Sequence, residues 1–320
     1  MALTGRHCAA PKAVSAGKAM AMLLLAAFFW GSGNVANKWI LLDLDPFAVV
    51  VLRHLIAVVA LLPLALSERG RSPLRVWLPS VLPASLLFAA ATIAQQWGYQ
   101  STTVTNASFL VNTAGVLTPV LSVMMFRERL RPFVALAALL TLLGALLMSG
   151  AATGWTGLNS GDTLCLVSAL LYAGWTVLLG RHILHHARPI AATLAQCAVA
   201  GLIAAPFALT ASPALAGNWA GALPEALYLG VFSTAAAVGL TSAAQRVVSA
   251  STTAIVISAE SLFGAVGGIA FLGERPGILA ILGAGLMLLA IALVTWPRRD
   301  RAVKPLKNAH ENTRMGQRKP

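Results

Sequence analysis

Charge is scarce in this sequence. Asp, Glu, Lys and Arg make up 10% of its 320 residues, and only 10 residues are acids. A soluble protein of this size carries roughly a quarter charged residues, so an ordinary soluble domain is excluded. Cysteine is nearly absent as well. Cys8, Cys165 and Cys197 are odd in number and without CxxC spacing, which removes both a disulfide framework and a zinc site and leaves small apolar filler as their role. The short alternating segments of a membrane β-barrel are missing. So are Walker A, HExxH, GxSxG and the paired-Asp pattern of prenyl-diphosphate enzymes, which argues against ATP coupling and catalysis.

What remains is apolar: 58% of the residues are hydrophobic, with a mean hydropathy of +0.78. A membrane-crossing helix needs about 20 such residues in succession. The runs fall at about 20–41, 46–66, 76–97, 103–126, 132–150, 161–180, 189–209, 221–243, 252–273 and 277–296, separated by DLDP, SERGRSP, RERLRP, GLNSGD, HHARP and GERPG. The pattern predicts an all-α membrane protein of ten transmembrane helices. It divides into a tail over 1–19, a first unit over 20–150, a second over 161–296 and a basic tail over 297–320.

Positive charge orients this bundle. With the N-terminus in the cytoplasm, every Lys and Arg except Lys38, Arg53 and Arg275 lies in a tail or connection on that side. Both termini are therefore expected to be cytoplasmic in the cell (inner) membrane. The net charge of +13 is read as this bias and as contact with anionic lipid; without a nucleic-acid fold or motif, no nucleic-acid partner is expected. The apolar run after MALTGRHCAAPKAVSAGKAM has no clear cleavage site and reads as an uncleaved first helix.

Segments recur. FLVNTAGVLTPVLSVMMFRERL (109–130) is redrafted as IVISAESLFGAVGGIAFLGERP (255–276), matching Glu128 to Glu274. AFFWGSGNVANKWIL (27–41) is redrafted as ALLYAGWTVLLGRHIL (169–184), matching Gly31 to Gly174, Lys38 to Arg181 and Ile40 to Ile183. Spans one to five thus correspond to spans six to ten. Five is odd, so the second unit should cross the membrane in the opposite sense, as in the inverted-topology repeats of secondary transporters, whose substrate sites lie near the midplane.

WGSGNVANK in the first span, the arginine of VVLRHLIAVVALLPL in the second, TNASFLVNTAGVLTPVLSVMMFRERL in the fourth and AESLFGAVGGIAFLGERP in the ninth together resemble the EamA-type drug/metabolite transporter superfamily, over about residues 20–297. The resemblance implies a 5+5 inverted-repeat bundle whose central cavity is lined by the first four helices of each repeat. The fifth and tenth are implied to be peripheral or to support a homodimer. Substrates would be small metabolites, often amino acids and related compounds, usually exported. One departure stands out: where the family commonly has Glu-Pro in the ninth span, Glu260 here precedes Ser261, and loss of the proline is expected to remove a kink.

Glu260 is the sharpest candidate for substrate binding and for coupling. It lies about eight residues into its span, roughly 12 Å deep, where an acid should face the bundle interior, neutral or paired. It is read either as a proton carrier or amine site, or as a structural acid bonded to hydroxyls such as Ser258. Arg53 is roughly 10 Å below the other surface and is read as paired directly with Glu260, as sharing a water-filled cavity with it, or as snorkelling outward. His54, turned about 100° away on the helix, reads as a packing or lipid-interface residue. Trp30, Asn34, Gln95, Gln96, Tyr99, Asn112, Tyr172 and Trp175 supply amides that need partners and rings that stack on a substrate or its ammonium group, with Gln96 and Tyr99 also placed to be interfacial. Pro119 is expected to kink the fourth helix. His182, His185 and His186 sit in a connection expected to be exposed, and without an acid or cysteine beside them no metal site is expected. No cofactor is expected.

The sequence therefore reads as an inner-membrane transporter working by alternating access, with export of a small metabolite as the leading direction; the short connections leave no folded domain with which a structural or receptor protein would bind a partner. Import, or flipping of a lipid-linked compound by the same fold, stays open, and an intramembrane enzyme is a distant third.

Overall fold

The computed structural model describes residues 14–68, 73–102, 104–148, 159–186, 188–210, 220–272 and 275–296. Among them the regular structure is wholly helical. In chain order the helices are α1 (Ala16–Asp43), α2 (Pro46–Ser67), α3 (Leu74–Gly98), α4 (Val104–Asn112 and Ala114–Phe126), α5 (Pro132–Met148), α6 (Ser160–His186), α7 (Pro189–Thr210), α8 (Leu223–Ala244), α9 (Ala250–Ile257 and Glu260–Leu272) and α10 (Ile278–Thr295). All but α5 are at least 18 residues long and apolar enough to cross a membrane. This is a multi-pass membrane protein of two repeated units. Arg6, Lys12, Arg69, Arg71, Cys8, Glu274 and the basic tail lie outside the described residues.

Local chemistry sets the helix starts. The Asp45 carboxylate accepts from Phe47 N at 2.8 Å with Pro46 at the first helical position, and Ser15 and Ser249 cap α1 and α9 through Lys18 N and Thr252 N; these side chains satisfy backbone donors that the helix leaves open. α6 runs past the expected end at residue 180 because nothing in RHILHH stops a helix before Pro189. Its histidines thus ride on the last turns of α6, not on an exposed connection. His182 is buried, edge-on to Trp77 at 5.4 Å, with Nδ1 2.9 Å from Ser80 Oγ.

α4 and α9 are both interrupted, and neither break is a proline kink. α4 breaks at Thr113 and continues as helix through Pro119. α9 breaks at Ser258 and Ala259, with no proline there at all, so the departure from Glu-Pro does not straighten the helix. A hydroxyl does the work in each: Thr113 Oγ1 donates to Leu110 O at 2.6 Å, and Ser258 Oγ donates to Ile255 O at 2.6 Å. Such back-bonding competes with the helical ladder and tightens the turn.

The main helix packings cross between the units. α1 packs on α8 and α9, and α6 packs on α3 and α4; α2 meets α7 and α8, and α7 meets α2 and α3; α4 meets α9, and α5 meets α10. Exchanging α1–α5 with α6–α10 returns the same pairs. α2 and α7 each open on proline (Pro46, Pro189) and carry another at the same internal place (Pro63, Pro206). At the α5–α10 crossing, a Cβ on Gly144 would meet Gly283 O at 2.6 Å, and one on Gly283 would meet Gly144 O. Small residues allow this close backbone approach between membrane helices. Leu55, Val59, Leu66, Leu202, Leu209, Val266, Ile281 and Leu289 point outward, as a surface bathed in lipid requires.

Glu68, just past the end of α2, joins the pair α2–α7. Its carboxylate accepts from Ala191 N at 2.9 Å and Ile190 N at 3.3 Å, capping α7. Removing a carboxylate from a helix N-terminus costs about 1 kcal/mol. Glu68→Ala is therefore expected to lower the thermal unfolding midpoint in detergent by a few degrees, with Glu68→Asp recovering part of the loss.

Candidate functional site

The interface between the two units holds a cavity of about 110 Å³. Its lining comes from the middle of α1, α4, α6, α8 and α9 and from the halves of α2 and α3 remote from the N-terminus. At the other end the bundle is closed. Ala19, Leu23, Ala244, Val248 and Val256 pack together there, Gln245 Nε2 donates to Thr176 O at 2.9 Å, and the Arg181 guanidinium lies 4.0 Å above the Phe126 ring.

Of the eleven residues that the sequence offers for the site, ten border this cavity: Trp30, Asn34, Arg53, Gln95, Gln96, Tyr99, Asn112, Tyr172, Trp175 and Glu260. Ser258 does not; its hydroxyl is buried and spent on Ile255 O, so it cannot be the partner of Glu260. That partner is Asn34, whose Nδ2 donates to Glu260 Oε1 at 3.2 Å. Glu260 opens the second half of α9, so the interruption delivers the carboxyl to the cavity. Across the same gap, Asn112 Nδ2 donates to Ser261 Oγ, tying the break in α4 to the break in α9.

Arg53 does not snorkel. Its Nε donates to Thr234 Oγ1 at 2.8 Å and its Nη2 to Ser233 Oγ at 3.2 Å. Arg53 and Glu260 thus share the cavity, each bonded to neutral partners rather than to the other. A buried charge is tolerable when hydrogen-bonded in this way. His54 is buried, not lipid-facing: Nδ1 donates to Val50 O at 2.7 Å, the ring stands edge-on to Phe88, and it also borders the cavity.

Phe88, Tyr172 and Trp175 form an aromatic wall of the cavity, with ring centroids 5.3–6.3 Å apart. Trp175 is pinned from behind by Gln196, which accepts from its Nε1. A chain of polar contacts follows: Tyr172 OH donates to Gln95 Oε1 at 2.9 Å, Gln95 Nε2 donates to Tyr99 OH at 3.0 Å, and Gln96 Nε2 donates to Asn37 Oδ1 at 3.1 Å. Gln96 and Tyr99 are therefore interior and not interfacial. Thr92, Thr176, Ser233 and Thr234 line the cavity too; single hydroxyls in long apolar runs gave little signal, although Thr92, Gln95, Gln96 and Tyr99 fall on one helical face.

Known proteins agree with this architecture. A relative from Archaeoglobus fulgidus, described as an uncharacterized transporter, is 28% identical over 273 residues, covering 85% of this chain and 84% of its own. A protein of known crystal structure superposes with a TM-score of 0.73 at 16% identity, over 88% of this chain and 97% of its own, which speaks to the fold. The EamA-like transporter family matches twice, over residues 17–150 and 159–296, once on each unit. The chain is a membrane transporter and belongs to the EamA-like transporter family.

Proposed function

We propose that this transporter moves a small zwitterionic metabolite, such as an amino acid or a related compound, out of the cell across the plasma membrane by alternating access. The observation that carries the reading is the pair of opposite charges in one cavity between the two units, Arg53 from the first and Glu260 from the second. Arg53 would take a carboxylate and Glu260 an ammonium group, while Phe88, Tyr172 and Trp175 offer rings to a side chain or cation.

The two units are inverted repeats in this reading, with both termini cytoplasmic as the charge bias requires. The conformation is then closed toward the cytoplasm, by Gln245, Arg181 and the cluster around Leu23, and leans outward. Rocking one unit on the other would reverse the closure. Glu260 couples the cycle to protons: it is charged while it holds substrate and protonated once the substrate leaves.

Counterflow tests the reading. Sealed vesicles preloaded with a mixture of unlabelled amino acids should accumulate labelled amino acid transiently, and vesicles carrying Arg53→Ala should fall below a tenth of that level. Absence of counterflow with every amino acid and related amine tried would refute the substrate class.

A further inference from the structure

The backbone of α8 changes character next to the cavity. Over Leu229–Ala236 it leaves the α-helix for π-helical bonding, and Ala237 N reaches back to Phe232 O. The corresponding stretch of α3 stays α-helical, so the widening belongs to one repeat only. π-turns cost helix stability and occur chiefly at functional sites.

The two hydroxyls on this turn, Ser233 and Thr234, are the two that hold Arg53. One glycine on a neighbouring helix and one on α8 itself allow the close approach. A Cβ on Gly33 of α1 would stand 2.5 Å from Ser233 Oγ, so α1 presses Ser233 from behind and fixes its direction. A Cβ on Gly230 would stand 2.6 Å from Ile56 Cβ and 3.0 Å from Arg53 O, so α8 crosses α2 at the arginine's own backbone. Among the described residues the third nitrogen, Nη1, has no hydrogen-bond partner, and it is not sealed from the cavity. The arginine's counterpart in the second unit is Gln196, at the same place in α7, and it is fully buried and committed to Trp175 and Ala192 O.

We propose that the π-turn of α8 is a positioning device, in which Thr234 and Ser233 orient Arg53 so that Nη1 faces the cavity as the seat of a substrate carboxylate. Thr234 and Ser233 are positioning residues and need not touch substrate. Two of the guanidinium's directions are fixed before anything binds, which lowers the ordering cost of binding. The arrangement is one-sided because, among the described lining residues, the first unit alone contributes an arginine or lysine, giving a substrate a single orientation in a nearly two-fold bundle. This deepens the proposed function and rests on it for the identity of the occupant.

The test is chemical. Phenylglyoxal modification of Arg53 in the purified protein would be followed by mass spectrometry, with exposed Arg275 as internal reference. Thr234→Val keeps the shape and deletes the acceptor, so Arg53 should react at least about threefold faster than in wild type, while Thr234→Ser should return it to the wild-type rate. Ser233→Ala is a second route to the same release. Unchanged rates in both Thr234→Val and Ser233→Ala would overturn the positioning role. A mixture of amino acids should protect Arg53 in wild type and in Thr234→Ser, whereas the matching decarboxylated amines should not. Equal protection by both mixtures, or by neither, would overturn the carboxylate seat. Loss of counterflow with the reactivity pattern intact would refute the transport reading alone, and normal counterflow with flat reactivity would refute the clamp alone.

Discussion

Glu260→Gln is expected to fold normally and to lose all accumulation driven by a pH gradient. Glutamine keeps the carbonyl oxygen that accepts from Asn34 Nδ2, so the local packing and the start of the second half of α9 survive. It cannot carry a proton. In antiport the acid is protonated from the acidic side and returns empty of substrate, so substrate gathers on the acidic side. One proton per substrate against a gradient of two pH units sustains accumulation of about 100-fold. The variant should show no accumulation under the same gradient while retaining exchange at equal pH. The absence of any other described acid from the cavity lining makes the expectation sharp. Gradient-dependent accumulation by Glu260→Gln would remove the coupling role outright.

The succession of apolar helices, their two-unit organisation and the inward placing of Glu260 were readable because each rests on one-dimensional information: run length, repetition and the expense of a charge among apolar residues. Arg53 was visible for the same reason. Its partners were not. Ser233 and Thr234 are separated from it by most of the chain, and nothing in YLGVFSTAAAV announces a π-turn. The breaks in α4 and α9 were not foreseen because proline is the familiar signal of a kink, while Thr113 and Ser258 act through a hydroxyl bond that only the folded turn reveals. Ser258 was a plausible neighbour for Glu260 by sequence distance, yet Asn34 on α1 takes that place. The helical spacing of His182 and His186 was visible, but the segment was read as an exposed connection, and the burial of His182 against Trp77 is set by the fold. Contacts between units are set by the exchange pairing of helices, and a single sequence shows the repeat but not which side chains meet across it.

Gly31 and Gly174 make the sharpest comparison between the units, since they match in sequence yet face different neighbours. A Cβ on Gly31 would stand 2.5 Å from Glu260 O, 2.7 Å from Phe263 Cβ and 2.8 Å from Gly264 N. Two of those are backbone atoms, so α1 and α9 would have to separate, and overpacking of that kind costs about 1–3 kcal/mol. At Gly174 the nearest atom is Leu87 Cδ1 at 3.0 Å, the end of a side chain that can turn aside. Alanine also recovers about 0.5–1 kcal/mol of helix propensity at either site. Gly31→Ala should therefore lower the unfolding midpoint by several degrees, and Gly174→Ala should leave it nearly unchanged or raise it slightly, with both measured in the same detergent. Gly31→Ala should also depress counterflow beyond its loss of folded protein, because the atoms it displaces include the backbone of Glu260, whereas Gly174→Ala should not. Equal shifts in the two variants would mean that α9 can move away from α1 without cost, and the carboxyl of Glu260 would then not be held where the charged pair requires it.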